Sequence, residues 1–143
     1  MSVEVRRTAG PQELEAALEL RHRVFCVEQG VPKREEIDGR DGEAVHLVAV
    51  RDGRVVGTCR MLFVSRTVQF SRLAVDPAAR REGIATQLLR EADREARAGR
   101  AQRIVLHAQT YAQTLYEDAG YQPRGRVFVE AGIEHVAMEK RLA

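Results

Sequence analysis

Residues 73–86 read LAVDPAARREGIAT, and this stretch decides which fold the chain can form. Its apolar beginning closes at Asp76-Pro77, which predicts the end of a β-strand. After a short loop, the pattern over Gly83–Ala98 repeats apolar residues on one face, which is typical of an amphipathic helix. The stretch therefore predicts a strand, a loop and a helix in direct succession.

The rest of the chain alternates predicted strands and helices around this stretch. A weak first strand, Ser2–Arg7, precedes a helix that begins near Gly10-Pro11 and ends at Gly30 and Pro32, and a charged loop follows over 33–43. The Asp52-Gly53 pair predicts a hairpin turn. Further strands are predicted over Val45–Arg51, Arg54–Phe63, Val68–Val75, Arg103–His107, Gln122–Val129 and Glu134–Lys140, and a short helix over Thr110–Ala119. This order indicates a mixed α/β sheet.

Length and composition favour one globular domain over residues 1–143. Of the 143 residues, 44% are hydrophobic and 31% charged, a balance that argues against disorder. The net charge of +2 does not predict a nucleic-acid partner. No apolar run approaches the roughly 20 residues of a membrane span, and residues 1–7 lack the apolar core of a signal peptide. Cys26 and Cys59 lie far apart without His-rich surroundings, so we expect free thiols in the cytoplasm and no bound metal.

The start of the helix at Gly83 has the chemistry of a diphosphate site. A helix start offers unpaired backbone N–H groups and the positive end of the helix dipole. Gly83 lets a bulky anion approach the backbone, Ala85 keeps the next turn small, and Arg80 and Arg81 add positive charge. An ordinary strand–turn–helix connection explains the same residues equally well. The pattern is neither a P-loop nor a dinucleotide fingerprint.

A second cluster of interest lies at residues 108–121, which read AQTYAQTLYEDAGY. Ala112 and Tyr116 are four residues apart and share a helix face. The Tyr116 phenol therefore stands one turn from the end of the predicted helix, where it can reach a ligand. A place in the hydrophobic core is the alternative for this side chain.

Together the two clusters resemble the GNAT family of N-acetyltransferases. Arg80-x-x-Gly83-x-Ala85 matches the acetyl-CoA signature of that family, and Tyr116-Glu117-x-x-Gly120-Tyr121 matches its later Tyr-Glu-x-x-Gly-Phe/Tyr ending. The stretches 23–32 and 36–38, with Ala108-Gln109, are similar to the ElaA-type branch. The resemblance implies a single α/β (α+β) domain whose mixed, mostly antiparallel twisted sheet has about seven strands, flanked by about four helices and splayed between its central strands.

The resemblance also implies where acetyl-CoA binds. The backbone of the strand at Leu73, Ala74 and Val75 pairs with the amides of pantetheine as an added strand does. Gln109 and Ala112 line the same arm, although many GNAT proteins have asparagine where Gln109 stands. Tyr116 donates a proton to the departing thiolate. The diphosphate lies against the loop and helix start formed by Arg80, Arg81, Glu82, Gly83, Ile84, Ala85 and Thr86.

The general base and the acceptor site stay open at this stage. His107, at the end of a predicted strand, is the first candidate for the base because an imidazole titrates near neutral pH. The alternatives are His46, His135, Glu28, Glu36 and Glu130. The residues expected to form or brace the acceptor site are Arg23, Phe25, Glu28, Glu36 and Asp38. The acids from Glu28 to Glu43 outnumber the bases, so they form either a negative rim that favours a cationic amine or a solvated loop.

The sequence thus predicts an acetyl-CoA-dependent N-acetyltransferase that acts on a primary amine of a small molecule or a peptide. A non-catalytic acyl-CoA-binding module is the alternative. No nucleic acid, membrane or metal is expected as a partner, and a homodimer is one assembly that the resemblance allows.

Overall fold

Seven strands form one sheet in the computed structural model, which describes residues 2–142. The strands are β1 (Glu4–Arg7), β2 (Val45–Arg51), β3 (Arg54–Val64), β4 (Thr67–Val75), β5 (Arg103–Gln109), β6 (Gln122–Glu130) and β7 (Ile133–Arg141). Their order in the sheet is β1-β2-β3-β4-β5-β7-β6. All neighbours run antiparallel except β4 and β5, which are parallel. The predicted mixed, mostly antiparallel α/β sheet is confirmed.

Four α-helices connect these strands. They are α1 (Pro11–Arg21), α2 (Lys33–Glu36), α3 (Ile84–Ala98) and α4 (Gln113–Asp118). On α3 the residues Ile84, Leu88 and Ala92 are buried against one face of the sheet, as the apolar stripe predicts. On the opposite face, Leu20 of α1 packs with Val24 and Ala74 in a smaller cluster. Helices therefore cover both faces of the central strands.

Two predicted segments differ from the structure. The first helix does not continue regularly to Gly30, because His22–Glu28 widens into a π-helical segment in which Gln29 N–H donates to the Val24 carbonyl (3.1 Å). The charged stretch 33–43 is not a plain loop: it contains α2 and a 3₁₀ turn. In this stretch Glu36, Asp38 and Asp41 form ion pairs with the buried side chains of Arg21 and Arg60.

The central strands β4 and β5 part soon after they begin. Their parallel pairing covers only Thr67–Gln69 against Arg103–Val105. The register between β3 and β4 also shifts, between Thr58 and Arg60, where Arg72 of β4 has a φ of 60°. This bulge follows Gln69, the last residue of β4 that pairs with β5. The splay expected between the central strands is therefore present.

A glycine in β3 sets how closely α3 approaches the sheet. A Cβ at Gly57 would lie 2.9 Å from Ile84 Cγ2, 3.1 Å from Leu88 Cδ1 and 3.3 Å from Ala49 Cβ. Only the absence of a side chain lets the first turn of α3 pack here. Because Ile84 follows Gly83 directly, this contact also positions the start of α3.

The variant Gly57→Val tests this packing. We expect it to lower the free energy of unfolding by about 1–3 kcal/mol, since the added carbons overpack the contact with Ile84 and Leu88. The matched control is Gly42→Val, because a Cβ at Gly42 meets no atom within 4 Å. Urea denaturation measures both variants. A Gly57→Val protein as stable as the wild type would contradict the role of this contact.

Candidate active site

The splay between β4 and β5 opens into a cavity of about 840 Å³. The cavity extends over the sheet face opposite α3, where Gln69 and Ser71 of β4 line it, and it also reaches the core residue Phe70 at the point where the strands part. Among the predicted site residues, those that line it are Phe25, Glu36, Asp38, Leu73, His107, Gln109 and Tyr116. The cavity thus brings together residues predicted for the cofactor, the base and the acceptor.

The start of α3 follows the end of β4 after a short turn and has free hydrogen-bond donors. Arg81 and Gly83 both have left-handed backbone conformations, with φ of 66° and 79°. No side chain caps the helix at Gly83, and the first bond across the cap runs from Gln87 N–H to the Gly83 carbonyl (3.1 Å). The N–H groups of the first turn, Ile84–Thr86, have no protein acceptor among residues 2–142. A Cβ at Gly83 would meet nothing within 4 Å, so an anion has room to approach.

Arg80 is fixed in place beside this helix start. Its Nε–H donates to the Val75 carbonyl (3.1 Å), and its two terminal nitrogens donate to the Glu28 carboxylate, both at 2.6 Å. This pairing lowers the pKa of Glu28 and raises that of Arg80. Arg80 therefore points along the cleft as part of an ion pair and not as a free cation.

The π-helical segment contacts both sides of the cleft. Glu28 at its end bonds Arg80, and Arg23 at its start lies 3.4 Å from Asp76, just beyond β4. The next residue, Gln29, accepts a hydrogen bond from the Gln109 amide at 2.9 Å. Gln109 is the residue in the usual asparagine position, and its amide already has a protein partner. This segment thus joins the loop after β4 to the end of β5.

Tyr116 belongs to the core and to the cavity at once. Its ring packs edge-on against Phe70 (centroids 6.5 Å apart) and Tyr121 (6.0 Å), and its exposed fraction is 8%. Burial raises the pKa of the Tyr116 phenol well above its ordinary value. No hydrogen bond to its hydroxyl is present within residues 2–142. At neutral pH the group is a protonated phenol at the wall of the cleft. Tyr116 therefore combines the two roles that the sequence left open, a core residue and a residue that can reach a ligand.

The histidine candidates fall into different surroundings. His107 projects from β5 into the cavity, and its Nδ1 lies 3.1 Å from Glu130 Oε2. His135 on β7 also lines the cavity but is nearly buried. His46 is buried away from it and donates from Nε2 to the Asp41 carbonyl (2.9 Å). Among the histidines of the described chain that were candidates, only His107 presents an accessible ring to the cavity.

A network of three arginines and three acids forms the wall of the cavity beside α2. Arg21 makes a two-pronged contact with Glu36 (2.6 and 2.9 Å) and also bonds Asp41 at 2.8 Å. Arg60 makes a second two-pronged contact with Asp38, both bonds at 2.8 Å. Arg72, on the β4 bulge, donates to the Glu36 carbonyl at 2.9 Å.

These pairings correct the expectation for the acidic stretch. Glu36 and Asp38 were expected to form a negative rim or a solvated loop, but their charges are balanced by Arg21, Arg60 and Arg72. Glu36 and Arg21 are buried, which excludes a solvated loop. The network braces the side of the cavity that contains Glu36 and Asp38. Arg21 and Arg72 were missed because nothing in their local sequence distinguishes them from the other arginines.

The arginines also lower the pKa values of two of these acids, Asp38 and Asp41. Hydrogen bonds from Arg60 hold the pKa of Asp38 well below its usual range. Burial alone would raise the pKa of Asp41, but Arg21 and Arg60 lower it below its ordinary value. A carboxyl whose pKa is depressed on folding stabilises the fold above its unfolded pKa, and this stabilisation is lost as the pH falls through the folded pKa.

The variant Asp38→Asn tests the network. We expect it to lower the free energy of unfolding at pH 7 by about 1–3 kcal/mol, because Arg60 loses its two-pronged carboxylate partner and keeps only Asp41. The difference from the wild type should shrink as the pH falls below about 4, because the Asp38 carboxyl then takes up a proton in the unfolded chain while it is still ionised in the folded protein. Urea denaturation at several pH values measures this. Asp52→Asn, in the exposed β2–β3 turn, is the matched control, and a pH-independent difference for Asp38→Asn would contradict the account.

Comparison with known proteins agrees with this geometry. Residues 7–142 match the model of the acetyltransferase (GNAT) domain. The chain is 32% identical to a Bacillus subtilis protein described as the uncharacterized N-acetyltransferase YjcF, over 90% of this chain and 93% of that one. It is 30% identical to protein ElaA of Escherichia coli, over 91% and 88%.

Solved structures are similar over nearly the whole chain. The crystal structure of E. coli ElaA superimposes with a TM-score of 0.88, covering 98% of this chain and 100% of that one at 27% identity. An acyl-CoA N-acyltransferase from Pseudomonas aeruginosa gives a TM-score of 0.86 at 32% identity, with 97% and 99% covered. The chain belongs to the GNAT family of acetyltransferases and is ElaA-like within it. It is an acyl-CoA-dependent acyltransferase of the N-acetyltransferase type.

Within residues 2–142, no helix combines the length and the apolar character that crossing a bilayer requires.

Proposed function

We propose that this enzyme transfers the acetyl group of acetyl-CoA to a primary amine of a small molecule or a peptide by direct attack. The observation that carries the proposal is the position of the Tyr116 phenol at the wall of the β4–β5 cleft, with the uncapped start of α3 at the same strand end. These two features supply the proton donor and the anion site that such a transfer needs.

In this proposal the cofactor lies between β4 and β5, where the two strands part. Beyond Gln69, β4 has no partner strand on its β5 side, which leaves the backbone of Leu73, Ala74 and Val75 to pair with the amides of pantetheine. The Val75 carbonyl is the exception, because it already accepts a hydrogen bond from Arg80 Nε (3.1 Å). Gln109 and Ala112 stand across the cleft. The diphosphate would lie on the N–H groups of Ile84, Ala85 and Thr86, with Arg80, Arg81, Glu82 and Gly83 forming the turn in front of them.

Tyr116 is the proposed general acid. The thiolate that leaves when the C–S bond breaks is basic enough to take a proton from a nearby phenol. Burial keeps the Tyr116 hydroxyl protonated at neutral pH, and the absence of a protein hydrogen bond within residues 2–142 leaves its proton free for the sulfur. A backbone N–H near Val75, after the β4 bulge, would stabilise the oxyanion that forms on the acetyl carbonyl.

His107 is the proposed general base, and the acceptor amine would occupy the cavity on the sheet face in front of it. Phe25 contributes an apolar wall, while Glu36 and Asp38 act through the arginine network and not as free carboxylates. Arg23 and Glu28 act at the rim of the cavity, through ion pairs with Asp76 and Arg80. A cytoplasmic location, with acetyl-CoA at hand, fits this reaction.

A panel of primary amines incubated with acetyl-CoA tests the proposal. We expect coenzyme A thiol to appear with at least one amine, in proportion to the acetylated product. The alternative, a non-catalytic acyl-CoA-binding module, predicts a higher melting temperature with acetyl-CoA but no thiol with any acceptor. That second outcome on folded protein would contradict the proposed function.

The variant Tyr116→Phe tests the proton donor. We expect kcat to fall by about 10²-fold because the general acid is lost, while calorimetry detects unchanged acetyl-CoA affinity. Tyr121→Phe is the matched control: it removes a buried hydroxyl from the same aromatic cluster, and that hydroxyl does not line the cavity. Equal turnover by Tyr116→Phe and the wild type would exclude the role.

A further inference from the structure

The end of β6 brings a carboxylate against the candidate base. Glu130 is the last residue of β6, and its Oε2 and Oε1 lie 3.1 and 3.4 Å from His107 Nδ1 on β5. A carboxylate oxygen accepts and does not donate, so the hydrogen bond requires the proton on Nδ1. In the neutral ring Nε2 then carries the lone pair. The contact therefore selects the tautomer whose Nε2 can accept a proton.

A phenyl ring packs against this contact, and a second imidazole lies near it. His135 Nδ1–H donates to the Ile133 carbonyl (2.7 Å), so its Nε2 is the ring nitrogen that faces Glu130 Oε1, at 4.0 Å. Phe128 packs edge-on against His107 (centroids 5.0 Å apart) and is stacked with His135 (5.9 Å). The β6–β7 hairpin thus fixes the His107 ring from the side and through its Nδ1.

We propose that Glu130 is a positioning residue for the transfer reaction, which fixes His107 as the Nδ1–H tautomer so that Nε2 takes a proton from the acceptor ammonium. This inference rests on the proposed function, in which His107 is the base. The same cavity is lined by His107, Glu130 and Tyr116, so the proton acceptor and the proton donor face one space.

The proton balance of the step assigns each residue one task. The acceptor enters as an ammonium and loses two protons as its nitrogen becomes an amide nitrogen. His107 Nε2 takes one of them as the C–N bond forms, and the resulting imidazolium is stabilised by the Glu130 carboxylate. Tyr116 donates its proton to the sulfur as the C–S bond breaks, and the second nitrogen proton restores the phenol. His107 then releases one proton to solvent.

Other charged groups that line this part of the cavity are already paired. Arg103 and Arg124 both contact Glu139, at 3.3 and 3.2 Å. On the opposite wall, Arg60 and Arg72 are engaged by the network with Asp38. Across β5 from Glu130, the Tyr111 hydroxyl accepts a hydrogen bond from the Gln29 amide at 3.4 Å. Among the carboxylates of the described chain, only Glu130 contacts the His107 ring.

Nitrogen NMR of the imidazole rings, combined with pH–rate profiles, tests the proposal. We expect His107 to show the Nδ1–H tautomer in the wild type and the ordinary Nε2–H tautomer in Glu130→Ala. Glu130→Gln keeps an acceptor oxygen, so it should keep the tautomer while losing the charge. For kcat/KM we expect a fall of about 10²-fold in His107→Gln, about tenfold or more in Glu130→Ala, and less in Glu130→Gln. The pH–rate profiles of the variants are compared with that of the wild type.

The matched control is Glu134→Ala, which removes an exposed carboxylate from the same hairpin and should leave the tautomer and the rates unchanged. An Nε2–H tautomer of His107 in the wild type would overturn the proposal. So would a tautomer change in Glu130→Ala without loss of kcat/KM, since another group would then be the base. The NMR measurement needs no turnover, so failure of the proposed function as a whole is recognised separately, by absence of thiol release with every amine.

Discussion

The early parting of β4 and β5 is the constraint on which the rest of the structure depends. Only Thr67–Gln69 of β4 pair with β5, so the backbone groups beyond them lack the partners that a closed sheet would give. Polar backbone groups of this kind require hydrogen bonds. An extended ligand with amide groups supplies them in the same way as an added strand. The unpaired edge of β4 therefore offers a site for an extended ligand that lies along the strand.

Both sides of the cleft are held open by packing and charge. On one side, Gly57 lets Ile84 and Leu88 approach β3, which sets where α3 begins and where its free N–H groups lie. On the other side, Arg60 and Arg72 link β3 and the β4 bulge to the carboxylates and carbonyls of residues 35–41. Because the charges of this network cancel locally, it braces this side of the cavity without creating a strongly charged rim.

Local sequence patterns were sufficient for most of the fold, and three of the residues that they singled out, His107, Gln109 and Tyr116, line one cavity. Apolar alternation, the Asp52-Gly53 turn and the helical spacing after Gly83 predict most element boundaries within a few residues. The splay itself came from the family resemblance. The π-helical widening at His22–Glu28 and the bulge at Arg72 were not predicted, because each depends on tertiary contacts. The partners of Glu36, Asp38 and Glu130 lie 15 or more residues away along the chain, and no spacing rule connects them.

The central claim is that the start of α3 binds a diphosphate while the splayed strands bind the pantetheine arm. Isothermal titration calorimetry with coenzyme A and with pantetheine, which lacks the nucleotide and its phosphates, tests it most directly. The account predicts binding of coenzyme A at least about tenfold tighter than that of pantetheine, because free N–H groups at a helix start favour an anion. No heat with coenzyme A, or equal affinity for the two ligands, would contradict it.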